Sequence, residues 1–256
     1  MLDTAVIPCG GRGTRLHPIT RWLPKEILPV GLRPILYWTL DEAAGAGLFR
    51  AIVITNPHKP LLEAAARNYE GPLELEFVPQ DHPRGLGDAL LRARDHLAGS
   101  PFLVLLPDNL FTGPNPTAAV VSTFRATGLA TVLLAEIAPD ESGAKGATGR
   151  ARIRSETDGS LRVTEVADKG SGRFDATGEA TAVTPIGRMA FPGGILAEFE
   201  EIGRGLPPGV ELDDVPMLQR LARRNALAGV INRAAFYDVG VPEGYRDAVA
   251  AFPPRA

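Results

Sequence analysis

Apolar residues gather in short runs through the first half of the chain, at Thr4–Pro8, Ala51–Thr55, Leu73–Pro79, Phe102–Leu106 and Ala130–Ile137. Runs of this length bounded by turn residues predict the strands of a sheet. Between them the period changes: Ile35–Ala46, Pro60–Asn68, Gly85–Leu97 and Thr117–Ala126 carry apolar residues three and four apart, the spacing of a helix that lays one stripe on a sheet. Strand and helix in alternation predict an α/β fold with three layers and a doubly wound, mostly parallel, Rossmann-like sheet.

At Pro139 the pattern breaks. Asp140, Glu141, Ser142, Gly143, Gly146 and Gly149 crowd one polar stretch. Period-two segments then follow at Ala151–Ser155 and Leu161–Val166 around Asp158-Gly159, which predicts a hairpin that makes the sheet mixed. Helices are expected near Ile195–Glu201, Val215–Arg224 and Glu243–Ala250. The expected organisation is one domain over residues 1–250, with halves at 1–138 and 139–250, and a tail at 251–256 in which the stretch from Phe252 onward looks loose.

A chain of 256 residues with 45% apolar and 22% charged residues can bury one large core and is unlike disordered, collagenous or coiled-coil chains. Its 27 basic and 30 acidic residues give a net charge of −3. With no Lys/Arg stripe to neutralise a phosphodiester backbone, no nucleic-acid partner is expected. The single cysteine, Cys9, allows neither an internal disulfide nor a zinc site of the usual spacing, which fits a reducing compartment. No apolar run approaches the ~18 residues of a membrane span, and a first strand at Thr4 leaves no room for a cleaved signal. The expectation is a soluble cytoplasmic protein with no membrane partner.

Candidate chemistry begins where the first run ends, in Pro8-Cys9-Gly10-Gly11-Arg12-Gly13-Thr14-Arg15-Leu16. Glycines let backbone N–H groups approach an anion, and an arginine offers a planar fork to phosphate oxygens. A dinucleotide fingerprint is disfavoured because Leu16 stands where its third glycine belongs, and no Gly-Lys-Ser/Thr of a P-loop occurs anywhere. Lysine usage singles out further residues. Against 23 Arg there are only four Lys, so Lys25 and Lys169 are expected to do what a compact ammonium does and a guanidinium does not. Lys59 and Lys145, in polar turns, are read as solvated charge, Cys9 as packing, and His17, His58, His82 and His96 as structural or solvent-facing.

The pattern Gly11-x-Gly13-Thr14-Arg15 followed by Pro24-Lys25-Glu26-Ile27-Leu28-Pro29 resembles the signature of the sugar-nucleotide pyrophosphorylases. Around Ala5–Pro8 and Pro24–Pro29 it is most like their bacterial UTP:glucose-1-phosphate branch, and the likeness can be followed to Tyr245. The resemblance implies transfer of a nucleotidyl group from UTP to a sugar 1-phosphate, with glucose 1-phosphate first among the candidates, and release of pyrophosphate. A nucleotide-binding half at 1–138 and a sugar-phosphate-binding half at 139–250 follow from it.

The same resemblance implies roles. Gly10, Gly11, Gly13, Thr14 and Arg15 would hold phosphates, Lys25 the α-phosphoryl group, and Gln80 with Gly85 the edge of a uracil or thymine. Asp108, in Pro107-Asp108-Asn109 after an apolar run, and Asp238, in Phe236-Tyr237-Asp238-Val239-Gly240, would hold Mg2+. Gly149, Asp168 and Lys169 would meet the sugar phosphate. Arg15, Lys25, Asp108, Lys169 and Asp238 are the expected catalytic set. Departures collect on the sugar side: Asp168-Lys169-Gly170 replaces Glu-Lys-Pro, Ala182 stands near an expected asparagine before Pro185-Ile186-Gly187-Arg188-Met189, and Thr148 replaces a tyrosine. A dTTP-dependent enzyme, a catalytically silent sugar-nucleotide sensor and, more remotely, a nicotinamide oxidoreductase are the alternatives. A homodimer or homotetramer is implied by the family alone.

Overall fold

The computed structural model of the protein describes residues 1–136, 150–168 and 183–252. In chain order the strands are β1 (Thr4–Pro8), β2 (Pro29–Val30), β3 (Arg33–Pro34), β4 (Arg50–Thr55), β5 (Glu74–Pro79), β6 (Phe102–Leu105), β7 (Asn109–Thr112), β8 (Ala130–Glu136), β9 (Ala151–Ser155), β10 (Leu161–Val166), β11 (Val183–Phe191), β12 (Leu227–Ile231) and β13 (Ala235–Asp238). The helices are α1 (Ile35–Gly45), α2 (Pro60–Arg67), α3 (Leu86–Arg92), α4 (Arg94–Leu97), α5 (Pro116–Thr127), α6 (Ile195–Gly205), α7 (Val215–Arg223) and α8 (Pro242–Ala251).

Nine strands form one sheet in the order β5-β4-β1-β6-β11-β8-β12-β10-β9. β1 runs parallel to both β4 and β6, β4 parallel to β5, and β12 parallel to β8. β11 is antiparallel to both β6 and β8, and β9 and β10 form the expected hairpin. The chain moves from β1 outward to β4 and β5, then returns to the opposite side of β1 as β6. That reversal is a topological switch point, where open α/β sheets form a ligand crevice beyond the carboxyl ends of their strands.

The alternation of side chains explains the three layers. Val6, Ile52, Ile54, Phe102 and Val104 face a core built with α3, α4, α6 and α7. Ala5, Ile7, Ala51, Val53, Leu103 and Leu105 face a second core built with α1, α2 and α5. Each fully buried Val, Leu, Ile or Phe contributes about 1.5–3 kcal/mol, so the apolar runs are what fix the sheet. A third, smaller cluster joins Leu16, Leu28, Val30 and Ile35 to Leu110, Val239, Ala248 and Phe252.

Three expectations need correction. The segment Gly85–Leu97 is not one helix: Ala93 closes α3 and opens α4. Phe252 is not loose, because it is buried and packs edge-on against Trp38 at 4.9 Å. Lys59 is not a solvated charge, since its ammonium lies 3.1 Å from the fully buried Glu26 carboxylate and donates to the Cys9 carbonyl at 2.8 Å.

Candidate active site

The glycine loop leaves β1 at the switch point. Cys9 N still donates to the Ile54 carbonyl at 2.8 Å, which carries the β1–β4 register one residue past the strand before the chain turns away. At Gly10 a Cβ would stand 2.5 Å from Gln80 Oε1, so any other residue would have to displace the Gln80 amide. Gly13 adopts φ +66, the left-handed region that costs an L side chain energy, and it opens the short turn Thr14–Leu16. A cleft of about 550 Å³ lies against this loop, within the size range of small-ligand sites. Gly10, Gly11, Gly13, Thr14, Lys25, Gln80, Gly85 and Asp108 all line it. Arg12, Leu86 and Glu211 also face the cleft; Arg12 belongs to the glycine stretch, whereas no motif pointed to Glu211.

At the cleft wall Lys25 and Asp108, 83 residues apart in sequence, meet with Nζ 2.6 Å from Oδ2. Arg15, half exposed, reaches Asp108 at 3.8 Å and Asp238 at 3.7 Å. The Val239 amide donates to the Asp108 carbonyl at 2.8 Å, which ties β13 to the turn after β6. Burial alone would favour neutral Asp108, but the charge and hydrogen bond of Lys25, helped by Arg15, hold its carboxyl below the usual range. Asp238 moves the other way: burial and then the Asp108 charge push it up, more than Arg15 pulls it down. For Lys25 burial lowers the ammonium, and Asp108 with Glu26 outweigh it, so the net shift is upward. Burial, with the Glu26 charge behind it, pushes the Cys9 thiol well up, as suits a packing residue.

The two carboxylates suit a hard cation. Asp108 Oδ2 and Asp238 Oδ1 each lie 3.0 Å from the point where a Cβ on Gly240 would stand. Arg15 Nη2, at 2.8 Å, is nearer still to that point, so the glycine keeps open a small space that two carboxylates of like charge share with a guanidinium. Among the described residues no group of three or more His, Cys, Asp or Glu is placed to hold a metal. An ion here would therefore complete its shell with ligand oxygens and water.

Arg188 carries a structural task that its motif did not reveal. Its side chain is fully buried, Nε and Nη2 donate to the two oxygens of Glu42 at 2.8 and 2.7 Å, and the remaining donors bond the carbonyls of Leu106, Gly187 and Asn109. Asn109 Oδ1 in turn accepts from the Gly187 amide at 2.8 Å. The turn that bears Asp108 is thereby fastened to β11 and to α1.

On the sugar side less is in view. Asp168 follows β10 and accepts from Gln219 of α7 at 2.7 Å; it does not line the cleft. Gly149 and Lys169 lie outside the described residues, as does Lys145. Among the described residues no helix is long and apolar enough to cross a membrane.

Residues 4–171 match the family model described as nucleotidyl transferase. Over 138 residues the chain is 34% identical to a putative UTP–glucose-1-phosphate uridylyltransferase of Bacillus subtilis (strain 168), an alignment covering 46% of this chain and 51% of that protein. In this match, as in those to Streptococcus pyogenes uridylyltransferases, the chain spans about half the length of the relative. A longer alignment of 281 residues, at 26% identity, covers 97% of this chain and 91% of the UTP–glucose-1-phosphate uridylyltransferase of Klebsiella pneumoniae. In fold the chain is similar to a crystal structure of UDP-glucose pyrophosphorylase complexed with UDP-glucose, with a TM-score of 0.84, 24% identity and 98% of both chains covered.

Proposed function

Because the chain belongs to the nucleotidyl transferase family, we propose that it transfers the uridylyl group of UTP to glucose 1-phosphate, giving UDP-glucose and pyrophosphate. The observation that carries this reading is the meeting of Lys25, Asp108, Arg15 and Asp238 beside the glycine loop, at the switch point of the sheet. The names of relatives aligned along the chain support the choice of substrates.

In the proposed reaction a phosphate oxygen of the sugar 1-phosphate forms a bond to the α-phosphorus of UTP. The bond from that phosphorus to the bridging oxygen breaks in line, and pyrophosphate leaves with the electron pair. The attacking oxygen is already ionised near neutral pH, so no general base is needed and the protein positions and neutralises charge. The Gly10–Gly13 amides and Arg15 hold the β- and γ-phosphates. Lys25, with its ammonium held in the cleft wall by Asp108, stabilises charge on the α-phosphoryl group as it transfers. Asp168 and Lys169 are assigned to the sugar phosphate on the sequence pattern alone. A divalent cation such as Mg2+, held by Asp108 and Asp238, would supply further neutralisation of phosphate charge.

A second reading, with dTTP as donor, rests on Gln80 equally: the edge it would meet is common to uracil and thymine, and no described contact at the base site distinguishes the 5-methyl group. The deciding assay follows pyrophosphate release by purified protein with Mg2+. It should appear only when UTP or dTTP and a hexose 1-phosphate are both present. No release from any pairing of nucleoside triphosphate and sugar phosphate would sink the transferase reading.

A further inference from the structure

Gln80 stands just beyond β5, buried in the cleft wall between the glycine loop and α3. Its backbone is fixed by the bond from Gln80 N to the Thr55 carbonyl at 2.8 Å. Its amide is fixed as well. Nε2 donates to Asp88 Oδ2 at 2.7 Å and points a weaker contact at the Gly85 carbonyl, 3.4 Å away. Asp88 lies in the first turn of α3, with its other oxygen, Oδ1, facing the guanidinium groups of Arg84 at 3.5 Å and Arg92 at 3.4 Å.

A carboxylate accepts and an amide has a distinct end for each role, so Asp88 can be met only by the NH2 end of Gln80. Flipping the amide would set Oε1 against Oδ2, two acceptors with no proton between them. Oε1 is therefore turned toward Gly10. Among the described residues it has no donor, yet it is not one of the enclosed polar atoms without a partner. It opens on the cleft as an acceptor of fixed direction.

We propose that Asp88 is a specificity-determining positioning residue: it locks the Gln80 amide with its oxygen toward the nucleobase, and so selects a pyrimidine that carries a ring N3–H over cytosine. The identity of the occupant rests on the uridylyl-transfer reading. Uracil and thymine offer N3–H as a donor to Oε1, whereas N3 of cytosine is itself an acceptor. An unlocked glutamine could turn its NH2 toward that nitrogen and take both bases; the locked one leaves two lone pairs facing each other, which is discrimination by repulsion as well as by attraction.

The test is equilibrium binding of UTP and CTP to the intact protein, wild type beside Asp88→Asn and Asp88→Ala, with pyrophosphate release measured in parallel. Wild type should favour UTP by about a hundredfold or more, and 3-methyl-UTP, which lacks the N3 proton, should bind about a hundredfold more weakly than UTP. An asparagine at this position can present either end to Gln80 and an alanine presents neither. In both variants the preference for UTP should therefore fall about tenfold or more, through gain of CTP binding. Using two variants keeps the test alive if one fails to fold. An unchanged UTP/CTP ratio in a folded variant, or a wild type that does not discriminate, would overturn the inference. Selective UTP binding that shifts in the variants, without pyrophosphate release from any sugar phosphate, would leave the lock standing and remove the transferase reading instead.

Discussion

At Lys25 the local chemistry explains why a lysine is retained in a chain that otherwise uses arginine. Its ammonium meets a single oxygen of Asp108 at 2.6 Å in a wall where both side chains are largely buried. A compact point charge can turn three donors between that oxygen and a phosphoryl group, which a planar fork cannot do in the same space. Lys25→Ala should therefore act on the transition state: kcat for pyrophosphate release should drop by about a hundredfold, about 3 kcal/mol, with the KM of both substrates changed far less. Lys25→Arg should recover little. Steady-state kinetics with each substrate varied in turn decides it, and a rise in KM for UTP at unchanged kcat would assign Lys25 to ground-state binding only.

Among the elements, β11 shows how far the sequence could be read and where reading failed. The runs of β1, β4, β6 and β8 were legible because a strand buried on both faces is largely apolar, the edge strand β5 because its apolar residues alternate with Glu74 and Glu76, and the β9–β10 hairpin because its period and its Asp158-Gly159 turn agree. β11 lies between β6 and β8 at the centre of the sheet, yet it holds Pro185, Gly187 and Arg188, residues that argue against a central strand. Its register with β8 shifts between Ile186 and Met189, so Gly187 and Arg188 fall where the ladder is broken, while Pro185 stays in register opposite Leu134. What makes Arg188 acceptable there is Glu42, 146 residues away, and no local pattern announces such a partner. Lys59 was misread for the same reason, its partner Glu26 being 33 residues distant. Glycines, Lys25 and Asp108 were legible because close backbone approach, the scarcity of lysine and a strand end leave marks in the sequence; Glu211 gains its place only from the fold that brings it to the cleft, and Asp88 only from its contact with Gln80. The buried pair yields a prediction of its own. Arg188→Met leaves Glu42 buried without its counter-charge and should cost about 3–5 kcal/mol, while Arg188→Met combined with Glu42→Leu should recover most of that loss. Pyrophosphate release should stay low in both, because the Leu106 and Asn109 carbonyls still lack their donor and the turn bearing Asp108 is unfastened. Urea melts beside the activity assay provide the comparison, and a double variant that regains activity along with stability would show that Arg188 holds the fold and not the site.

Across the whole molecule, the cleft is assembled from segments that the chain order keeps apart, the glycine loop, Lys25, the Gln80–Gly85 turn, Asp108 and Glu211, and the Asp238–Gly240 turn joins them through Arg15 and Asp108. Two large cores hold the sheet, but the last of these segments depends on the third and smallest. There Phe252 packs edge-on against Trp38 at 4.9 Å and against Tyr237 at 5.8 Å, and Tyr237 immediately precedes Asp238. Trp38 is itself fixed by a bond from Nε1 to the Val30 carbonyl at 3.0 Å, and Tyr245 of α8 donates to the Pro29 carbonyl at 2.8 Å. The segment that follows Lys25 and the segment that carries Asp238 are thus locked together beneath the site by α8. Phe252→Ala would open a cavity at that junction and should cost about 3 kcal/mol, which in a domain of this size corresponds to a fall in melting temperature of roughly 6–12 °C. The loss should not stay thermal. With Tyr237 less constrained, Asp238 is held less firmly opposite Asp108, so the Mg2+ concentration needed for half-maximal pyrophosphate release should rise several-fold at a temperature where the variant is still folded. Phe252→Leu, which keeps most of the volume, should lie between the two on both measurements. A variant that melts early but keeps the wild-type Mg2+ requirement would mean that β13 holds Asp238 through its pairing with β7 alone, and that the third core supports the fold without reaching the site.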